Sequence, residues 1–276
     1  MEPVNEKPEN ETLELLKGRM KETTPILLIG AGFSAGSVNG NRNKLKMGKE
    51  LANELYEHFY KDNPPNELPI LKTMPLADYI QQAEEKKDDL SEICTLLSTE
   101  GRLNERNEYL KKLYSDCSPD DRNPFQNKLL NYEWRFIFTL NIDDLVENIY
   151  NDSQKSLEVW NLGKSGSRDN PGVPLLVKLH GCVSDIGKGF IFDTKEYNQF
   201  IADQNALLKT FGHEFLQNDA IIIGTEFQEY DLKIVLDIYK KDYSNKNFHY
   251  FFVTPRIHDL SFINEISSNP NMHWIK

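Results

Sequence analysis

Five short apolar runs constrain the fold of this chain more than any other feature of its sequence. They lie at Ile26–Ile29, Phe136–Leu140, Leu175–Leu179, Ile221–Ile223 and Tyr250–Val253. Most are continuous rather than alternating, which is typical of strands that are covered on both faces of a sheet. Helical patterns separate several of them, as expected for parallel strands joined by crossover helices. The sequence therefore predicts an α/β fold, with a Rossmann-like, mostly parallel sheet and helices on both faces.

The segment between the first two runs holds more helix than a crossover needs. An amphipathic helix is predicted where apolar residues recur every four positions, at Met47, Leu51, Leu55 and Phe59. The prolines of "DNPPNELP" end it, and a charged helical block follows over about Leu76 to Tyr114. We expect an N-terminal helical extension over residues 1–24 and one main domain over residues 25–276, with a smaller helical insert at about 68–118. Later helical patterns cover Glu196 to Gln217 and "EYDLKIVLDIYKKDY".

Charge and cysteine content exclude several classes of function. The chain has 32 Lys and Arg residues against 43 Asp and Glu residues, a net charge of −11, with no segregated basic patch. Such a chain repels a phosphate backbone, so we expect no direct binding to nucleic acid. The three cysteines, Cys94, Cys117 and Cys182, form no CxxC pair, which favours a reducing compartment and argues against structural zinc or any other metal site.

No apolar run approaches the roughly 18–20 residues that a membrane-spanning helix needs. The acidic start, "MEPVNEKPENE", also differs from a basic and then apolar export signal. We therefore expect a cytoplasmic protein with no membrane contact.

The stretch "PILLIGAGFSAG", residues 25–36, runs from the first strand directly into glycines. This arrangement places backbone N–H groups and a helix N-terminus against a pyrophosphate in dinucleotide-binding folds. The spacing here, with glycines at 30, 32 and 36, is one residue longer than the dinucleotide fingerprint. The alternative is an ordinary turn in which glycine supplies a positive φ.

Two further strand ends carry polar residues. Thr139, Asn141, Asp143 and Asp144 follow the second run, and His180 follows the third. Since ligands bind outside the carboxyl ends of parallel strands, we expect these side chains to share one crevice with the glycine turn. Taken singly, Asp143 or Asp144 would be interpreted as a helix cap, and His180 as a hydrogen-bonded core histidine. Their joint placement favours a site.

The segments "GAGFSAG", "TLNIDDL" and "KLHG" resemble, in order, three core motifs of the sirtuin family that surround NAD. A weaker fourth match, "IIIGTEFQEYD", has Glu226 where serine is usual, so the resemblance spans about residues 25 to 255. It implies NAD as the bound nucleotide and His180, Asn141 and Asp143 as catalytic residues. The NAD-contacting residues that it implies are Gly30, Ala31, Gly32, Phe33, Ser34, Thr139, Asn141, Asp143, Gly224 and Thr225.

Departures from the sirtuin pattern bear on the reaction. Deacylase members carry two zinc-binding cysteine pairs after the HG dipeptide, whereas here Cys182 alone follows His180. The segment "SVNGNRNKLKMGKEL" and Leu140 also differ from the deacylase motifs. Such losses are similar to those in sirtuin-like domains of bacterial anti-phage systems, in which infection is aborted by NAD hydrolysis. The resemblance thus implies an NAD glycohydrolase that releases nicotinamide and ADP-ribose, with NAD as substrate and no zinc.

Two other classes of function stay open. One is an NAD-dependent deacylase or ADP-ribosyltransferase, which would need an acylated or acceptor protein. The other is a silent NAD- or ADP-ribose-binding assembly module, since the Glu226 carboxylate would repel phosphate if it faced the pocket.

Chemistry assigns roles to the candidate residues of a hydrolase. Cleavage at the nicotinamide–ribose bond builds positive charge on the sugar, and the cationic nicotinamide leaves without much acid assistance. Backbone donors from Ala31 to Ser34 would hold the phosphates, and Asn141 would orient the ribose hydroxyls or the attacking water. Asp143 would fix that loop or contact the nicotinamide amide. His180, with an ordinary imidazole pKa of about 6.5, would act as general base.

Destruction of NAD would be toxic without restraint, so we expect regulation by assembly. The partner is a second copy of the chain in a homo-oligomer, a regulatory protein such as an ATPase or nuclease, or a phage component. The charged block Leu76–Tyr114 and the segment "ETLELLKGRM" are candidate contact surfaces.

Overall fold

The structure is a computed structural model that describes residues 9–66, 74–120, 124–164, 167–202, 206–225, 248–255 and 260–276. The helix expected at "EYDLKIVLDIYKKDY" and the departure at Glu226 lie outside these residues, as does the predicted start of the insert near residue 68.

Within the described residues, seven strands form one sheet in which every neighbouring pair is parallel. The strands are β1 Ile26–Ile29, β2 Phe136–Thr139, β3 Glu158–Trp160, β4 Leu175–Lys178, β5 Ala220–Ile223, β6 Tyr250–Val253 and β7 Met272–Ile275. Their order across the sheet is β3-β4-β2-β1-β5-β6-β7. This sheet confirms the α/β, Rossmann-like prediction, and all five expected strands are present.

The sequence reading missed the two edge strands, β3 and β7. Edge strands are less enclosed than central ones, so they do not need an unbroken apolar run. Glu158 and Val159 of β3 are partly or fully exposed, and β7 alternates between buried and half-buried residues.

Ten α-helices lie in the described part of the chain. They are α1 Glu9–Glu22, α2 Lys49–Tyr56, α3 Leu76–Glu85, α4 Leu90–Thr99, α5 Leu103–Tyr114, α6 Phe125–Leu130, α7 Leu145–Asp152, α8 Thr194–Ala202, α9 Ala206–Gln217 and α10 Leu260–Ser268. A π-helical segment, Glu57–Asp62, continues α2, and two 3₁₀ turns lie at Ala31–Ser34 and Val183–Lys188. The predicted helical block Leu76–Tyr114 consists of the three helices α3, α4 and α5.

Helices cover both faces of the sheet, as predicted. On one face, Leu27, Ile137 and Leu176 share a buried cluster with residues of α2, α4, α5 and α7. On the other face, Leu28, Phe138 and Val177 pack with residues of α9 and α10. The helices of the predicted insert therefore share one apolar core with the sheet, although the domain boundaries themselves stay predictions.

Helix α1 is attached to the amino-terminal edge of the sheet. Arg19 donates from Nε and Nη2 to the two carboxylate oxygens of Asp219, at 2.8 and 2.9 Å, directly before β5. Thr23 donates to the same carboxylate at 2.8 Å. Among the described helices, none combines the length and apolar character that crossing a bilayer requires.

Candidate functional site

The strand order brings four loops to one edge of the sheet. Strands β4, β2, β1 and β5 are consecutive neighbours and all run in the same direction. The chain leaves β1 toward β2 on one side and returns from β4 to β5 on the other side of β1. Ligands of open α/β sheets bind outside the carboxyl ends of strands where the order switches in this way. The segments after these four strands therefore surround the expected crevice.

The glycines of the first turn pack against the turn after β5. A side chain at Gly30 would start 2.6 Å from the Thr225 Cβ, and one at Gly32 would start 2.7 Å from the Gly224 Cα. Gly224 itself has a φ of 72°, whereas Gly30 has a φ of −114°. A positive φ therefore explains neither Gly30 nor Gly32. The two strand ends approach each other so closely that only glycine fits.

Two backbone amides of the predicted phosphate cradle make hydrogen bonds within the protein. The Gly32 amide donates to Gly224 O at 2.8 Å, and the Phe33 amide donates to Gly30 O at 2.9 Å. Both predicted phosphate donors are thus used within the protein. The Phe33 side chain is fully buried and packs edge-on against Phe125. Ala31 is exposed and lines the neighbouring cleft.

Asn141 links the ends of β1 and β2 through its side-chain amide. Its Nδ2 donates to Gly30 O at 3.0 Å and to Ser34 Oγ at 2.9 Å. The backbone nitrogen of Asn141 donates to Thr139 Oγ1 at 3.0 Å, and Thr139 is itself buried. Because a carbonyl oxygen only accepts, the group facing Gly30 must be the NH₂ of Asn141. Thr139 positions Asn141 rather than facing the cleft.

Asp143 ends this hydrogen-bonded chain. Ser34 Oγ donates to Asp143 Oδ2 at 2.8 Å, and the Leu145 amide donates to Asp143 Oδ1 at 3.1 Å. Asp143 is 6% exposed. Burial raises its pKa above the ordinary value, although the Lys178 charge and the hydrogen bond from Ser34 act in the opposite direction. The capping alternative is thus correct in part, since Asp143 accepts from the first residue of α7.

Asp144 has a different role from either sequence interpretation. It stands at the N-cap position of α7 but makes no side-chain capping bond. Its carboxylate accepts from the amides of Asp116 and Cys117, each at 2.8 Å. Asp144 therefore ties the loop after β2 to the chain that leaves α5.

His180 lies at the same sheet edge, directly after β4. Thr139 pairs with Lys178 at the ends of β2 and β4, so Asn141 and His180 each lie two residues beyond this pair. The two loops stay together beyond the strands, since the Val183 amide donates to Ile142 O at 3.0 Å. The imidazole is 4% exposed, and Tyr197 of α8 packs edge-on against it with 5.4 Å between ring centroids. His180 does not line the cleft described next.

A cleft of about 90 Å³ opens beside the network. Four of the predicted site residues line it, at Ala31, Ser34, Asn141 and Asp143. The rest of its wall is mostly apolar and includes Leu45, Met47, Leu51, Leu90, Leu140 and Phe192. The segment from Leu45 to Leu51 and the residue Leu90 come from regions that the sequence analysis assigned to no site. Their signal is only an amphipathic pattern, which does not distinguish a cleft wall from core.

Two buried polar residues that support the site were also missed. Gln126 of α6 donates to Phe33 O at 3.0 Å and so holds the glycine turn. Lys178 of β4 donates to the backbone oxygen of Asp143 and, at 2.8 Å, to Glu147 of α7. The available signal was a lysine inside the apolar run "LLVKLHG", where an unpaired charge would be costly.

Among the described residues, no group of three or more His, Cys, Asp or Glu side chains is arranged to hold a metal ion. All three cysteines are buried as free thiols.

Comparison with known families bears on the second half of the chain. Residues 135–271 match the family described as SIR2-like domain, a stretch that includes Asn141, Asp143, His180 and Gly224. No curated protein matches the chain. The family match agrees with the sirtuin resemblance of the second and third motifs, and SIR2-like domains bind NAD. Together with the all-parallel sheet, it shows that residues 135–271 contain a SIR2-like domain, which indicates an NAD-utilising enzyme.

Proposed function

We propose that this protein is an NAD glycohydrolase, which transfers the ADP-ribosyl group of NAD to water and releases nicotinamide. The observation that carries the proposal is the orientation of Asn141. Both hydrogens of its amide are donated within the protein, to Gly30 O and Ser34 Oγ. The described residues donate no hydrogen bond to its Oδ1, which is therefore the atom that a ligand meets. A fixed acceptor suits a ribose hydroxyl or an attacking water.

The reaction requires little covalent assistance from the protein. The glycosidic C–N bond breaks with its electron pair moving to the already cationic nicotinamide, and positive charge builds on the ribose. A water oxygen then bonds to the same ribose carbon and loses a proton. Asn141 Oδ1 would orient that water or the ribose hydroxyls, with the buried Asp143 carboxylate at the other end of its hydrogen-bonded chain.

His180 is the proposed acceptor of the proton. An imidazole takes up a proton near neutral pH, and a general base of this kind typically contributes about 10²–10⁴-fold in rate. The support for His180 is its place two residues beyond Lys178, whose strand partner Thr139 lies two residues before Asn141. The ring contact with Tyr197 would hold the imidazole in one orientation.

Hydrolysis is favoured over deacylation by the sequence after the HG dipeptide. The cysteine pairs that hold zinc in sirtuin deacylases are missing there. The one cysteine present, Cys182, is buried, and its Sγ lies 2.9 Å from Ser184 Oγ. Water is then the simplest acceptor for the ADP-ribosyl group.

The test is a nicotinamide-release assay with purified protein and NAD alone. We expect turnover without any acylated peptide, and a loss of about 10²–10⁴-fold in both His180→Ala and Asn141→Ala in protein that still folds. His213→Ala, at an exposed position of α9, is the matched control. Undiminished release by both site variants would overturn the assignment. Release only with an acylated or acceptor protein indicates a transferase, and tight NAD binding without turnover indicates a silent binding module.

For the biological role, we propose an effector of bacterial anti-phage defence, held in check by self-assembly or by a regulatory protein. The support is that this sequence departs from the deacylase pattern, and that its departures are similar to those of the sirtuin-like domains in defence systems. Expression in a phage-challenged bacterial host should lower cellular NAD only on infection, and the His180→Ala variant should abolish that fall. An active monomer whose rate per molecule is independent of concentration would contradict control by assembly.

A further inference from the structure

A lysine is buried under the proposed active site. Lys178 is 1% exposed and lies at the end of β4, on the sheet face that α7 covers. Its Nζ donates to Glu147 Oε1 at 2.8 Å and to the backbone oxygen of Asp143. Glu147 Oε2 has no hydrogen-bond partner among the described residues. Burying such a charged pair is costly, so a role in stability alone is a weak explanation for it.

We propose that Lys178 is a positioning residue of the NAD site, which fixes the loop after β2 and keeps the Asp143 carboxyl group ionised. Its catalytic consequence rests on the proposed function, whereas its effect on Asp143 does not. The hydrogen bond to the Asp143 carbonyl fixes the backbone two residues after Asn141. The lysine charge lies against the same residue whose carboxylate ends the hydrogen-bonded chain.

An ionised Asp143 would set the direction of that chain. A carboxylate only accepts, so Ser34 must donate to Asp143, and the Ser34 oxygen is then free to accept from the Asn141 NH₂. Gly30 O accepts one hydrogen of that NH₂ in either state of Asp143, and in this order Ser34 Oγ accepts the other, so Asn141 Oδ1 faces away from both partners. A protonated Asp143 could instead donate to Ser34, and the hydroxyl would no longer be required as an acceptor for Asn141. Lys178 would thus act on Asn141 through Asp143 and Ser34.

The groups that face Asp143 come from several elements. Lys178 on β4 is the cation, and Glu147 on α7 is the nearby anion that opposes it. Tyr114 at the end of α5 and Cys117 just beyond it also face Asp143, and burial raises the pKa of both above their ordinary values. Both therefore stay neutral near pH 7. Among the described residues, Lys178 is the charged group with the largest effect on the pKa of Asp143.

The direct test measures the protonation of Asp143. Protein labelled with ¹³C at the aspartate carboxyl carbons is titrated by NMR, and Asp143→Asn assigns the signal. In Lys178→Met we expect the Asp143 midpoint to rise by about one to three pH units, the effect typical of losing a close opposite charge. In Glu147→Gln it should fall. In the double variant Lys178→Met/Glu147→Gln it should lie between the wild type and Lys178→Met.

The second readout is the pH dependence of nicotinamide release. At neutral pH, Lys178→Met should lower kcat by about 10–100-fold, as expected for a small misplacement of catalytic groups. Part of this loss should be regained as pH rises, because Asp143 then ionises. Lys155→Met, which removes an exposed lysine near the amino edge of the sheet, is the matched control and should leave both readouts unchanged.

The experiments distinguish a failure of this inference from a failure of the proposed function. An unchanged Asp143 midpoint in folded Lys178→Met overturns the inference, whatever the activity of the enzyme. If the wild type releases no nicotinamide, the proposed function fails while the NMR titration still decides the role of Lys178. If Lys178→Met does not fold, the double variant carries the test, because it buries no unpaired charge. A midpoint in that variant at or below the wild-type value then overturns the inference.

Discussion

The Cα of Gly224 lies 2.7 Å from the position that a Cβ on Gly32 would take, and the Gly32 amide donates to Gly224 O at 2.8 Å. The turn after β1 and the turn after β5 are therefore one packed unit. This contact closes the sheet edge at the switch in strand order, beside the network of Asn141, Ser34 and Asp143.

Adding a methyl group at this contact should destabilise the protein. In Gly32→Ala the new Cβ meets backbone atoms of Gly224, which do not move without shifting β5. We expect the free energy of unfolding to fall by about 1–3 kcal/mol, the usual cost of overpacking, as measured by urea denaturation. Gly18→Ala is the control, since a Cβ there meets nothing within 4 Å. Within a helix it should stabilise by roughly 0.5–1 kcal/mol, and equal effects of the two substitutions would contradict the packing argument.

Removing the Ser34 hydroxyl should impair turnover more than folding. Ser34→Ala takes away the atom that accepts from Asn141 and donates to Asp143, at 2.9 and 2.8 Å. Since the amide of Asn141 is then held at one point only, we expect kcat for nicotinamide release to fall by about 10²-fold. Stability should fall by about 1–3 kcal/mol, because a buried carboxylate loses a donor. Ser153→Ala, at an exposed serine after α7, should change neither value. An unchanged kcat in Ser34→Ala would remove Ser34 from the site.

Acid should weaken the attachment of α1 in a predictable direction. Burial alone would raise the pKa of Asp219, but hydrogen bonds from Arg19, the His249 amide and Thr23 hold it below the ordinary value of 3.8. A depressed carboxyl pKa stabilises the fold fully above the ordinary value, and this contribution is lost as pH falls through the lower, folded value. We expect Asp219→Asn to be less stable at pH 7 and to lose less stability on further acidification than the wild type.

Urea denaturation between pH 7 and pH 3 measures this difference, with Asp152→Asn at an exposed site as control. At pH 7, Arg19→Met should cost about 1.5–3 kcal/mol, the range for hydrogen bonds to a charged group. If the free energy of unfolding falls with pH in parallel for the wild type and Asp219→Asn, the proposed contribution of the ionised Asp219 carboxylate is contradicted.

The thiols should be unreactive in the folded protein. Burial raises the pKa of Cys94 to about 12, and it also raises the pKa of Cys117. At pH 8, a pKa of about 12 leaves roughly one Cys94 in ten thousand as thiolate, which is the reactive form. Cys182 is 1% exposed. A thiol-specific reagent should therefore label the native protein slowly and all three cysteines quickly in denaturant, and fast labelling before unfolding would contradict the described burial.

The sequence predicted the central strands because burial on both faces demands apolar residues at every position. That demand is local and strong at β1, β2, β4, β5 and β6, and it is weak at the edge strands β3 and β7. The motif residues Asn141 and His180 were also readable, since a strand end fixes which edge of the sheet its next residues reach.

The sequence by itself determined the α/β class and the strands that deliver polar groups to one edge. Tertiary structure alone decided which groups at that edge are used within the protein. In the folded protein the Gly32 amide donates to Gly224 O, and the Asn141 side-chain amide donates to Ser34 Oγ. Lys178 Nζ donates to the loop before α7. These partners lie from tens to nearly two hundred residues apart, and no local periodicity encodes a contact between them. Packing of the whole sheet and its covering helices sets those distances.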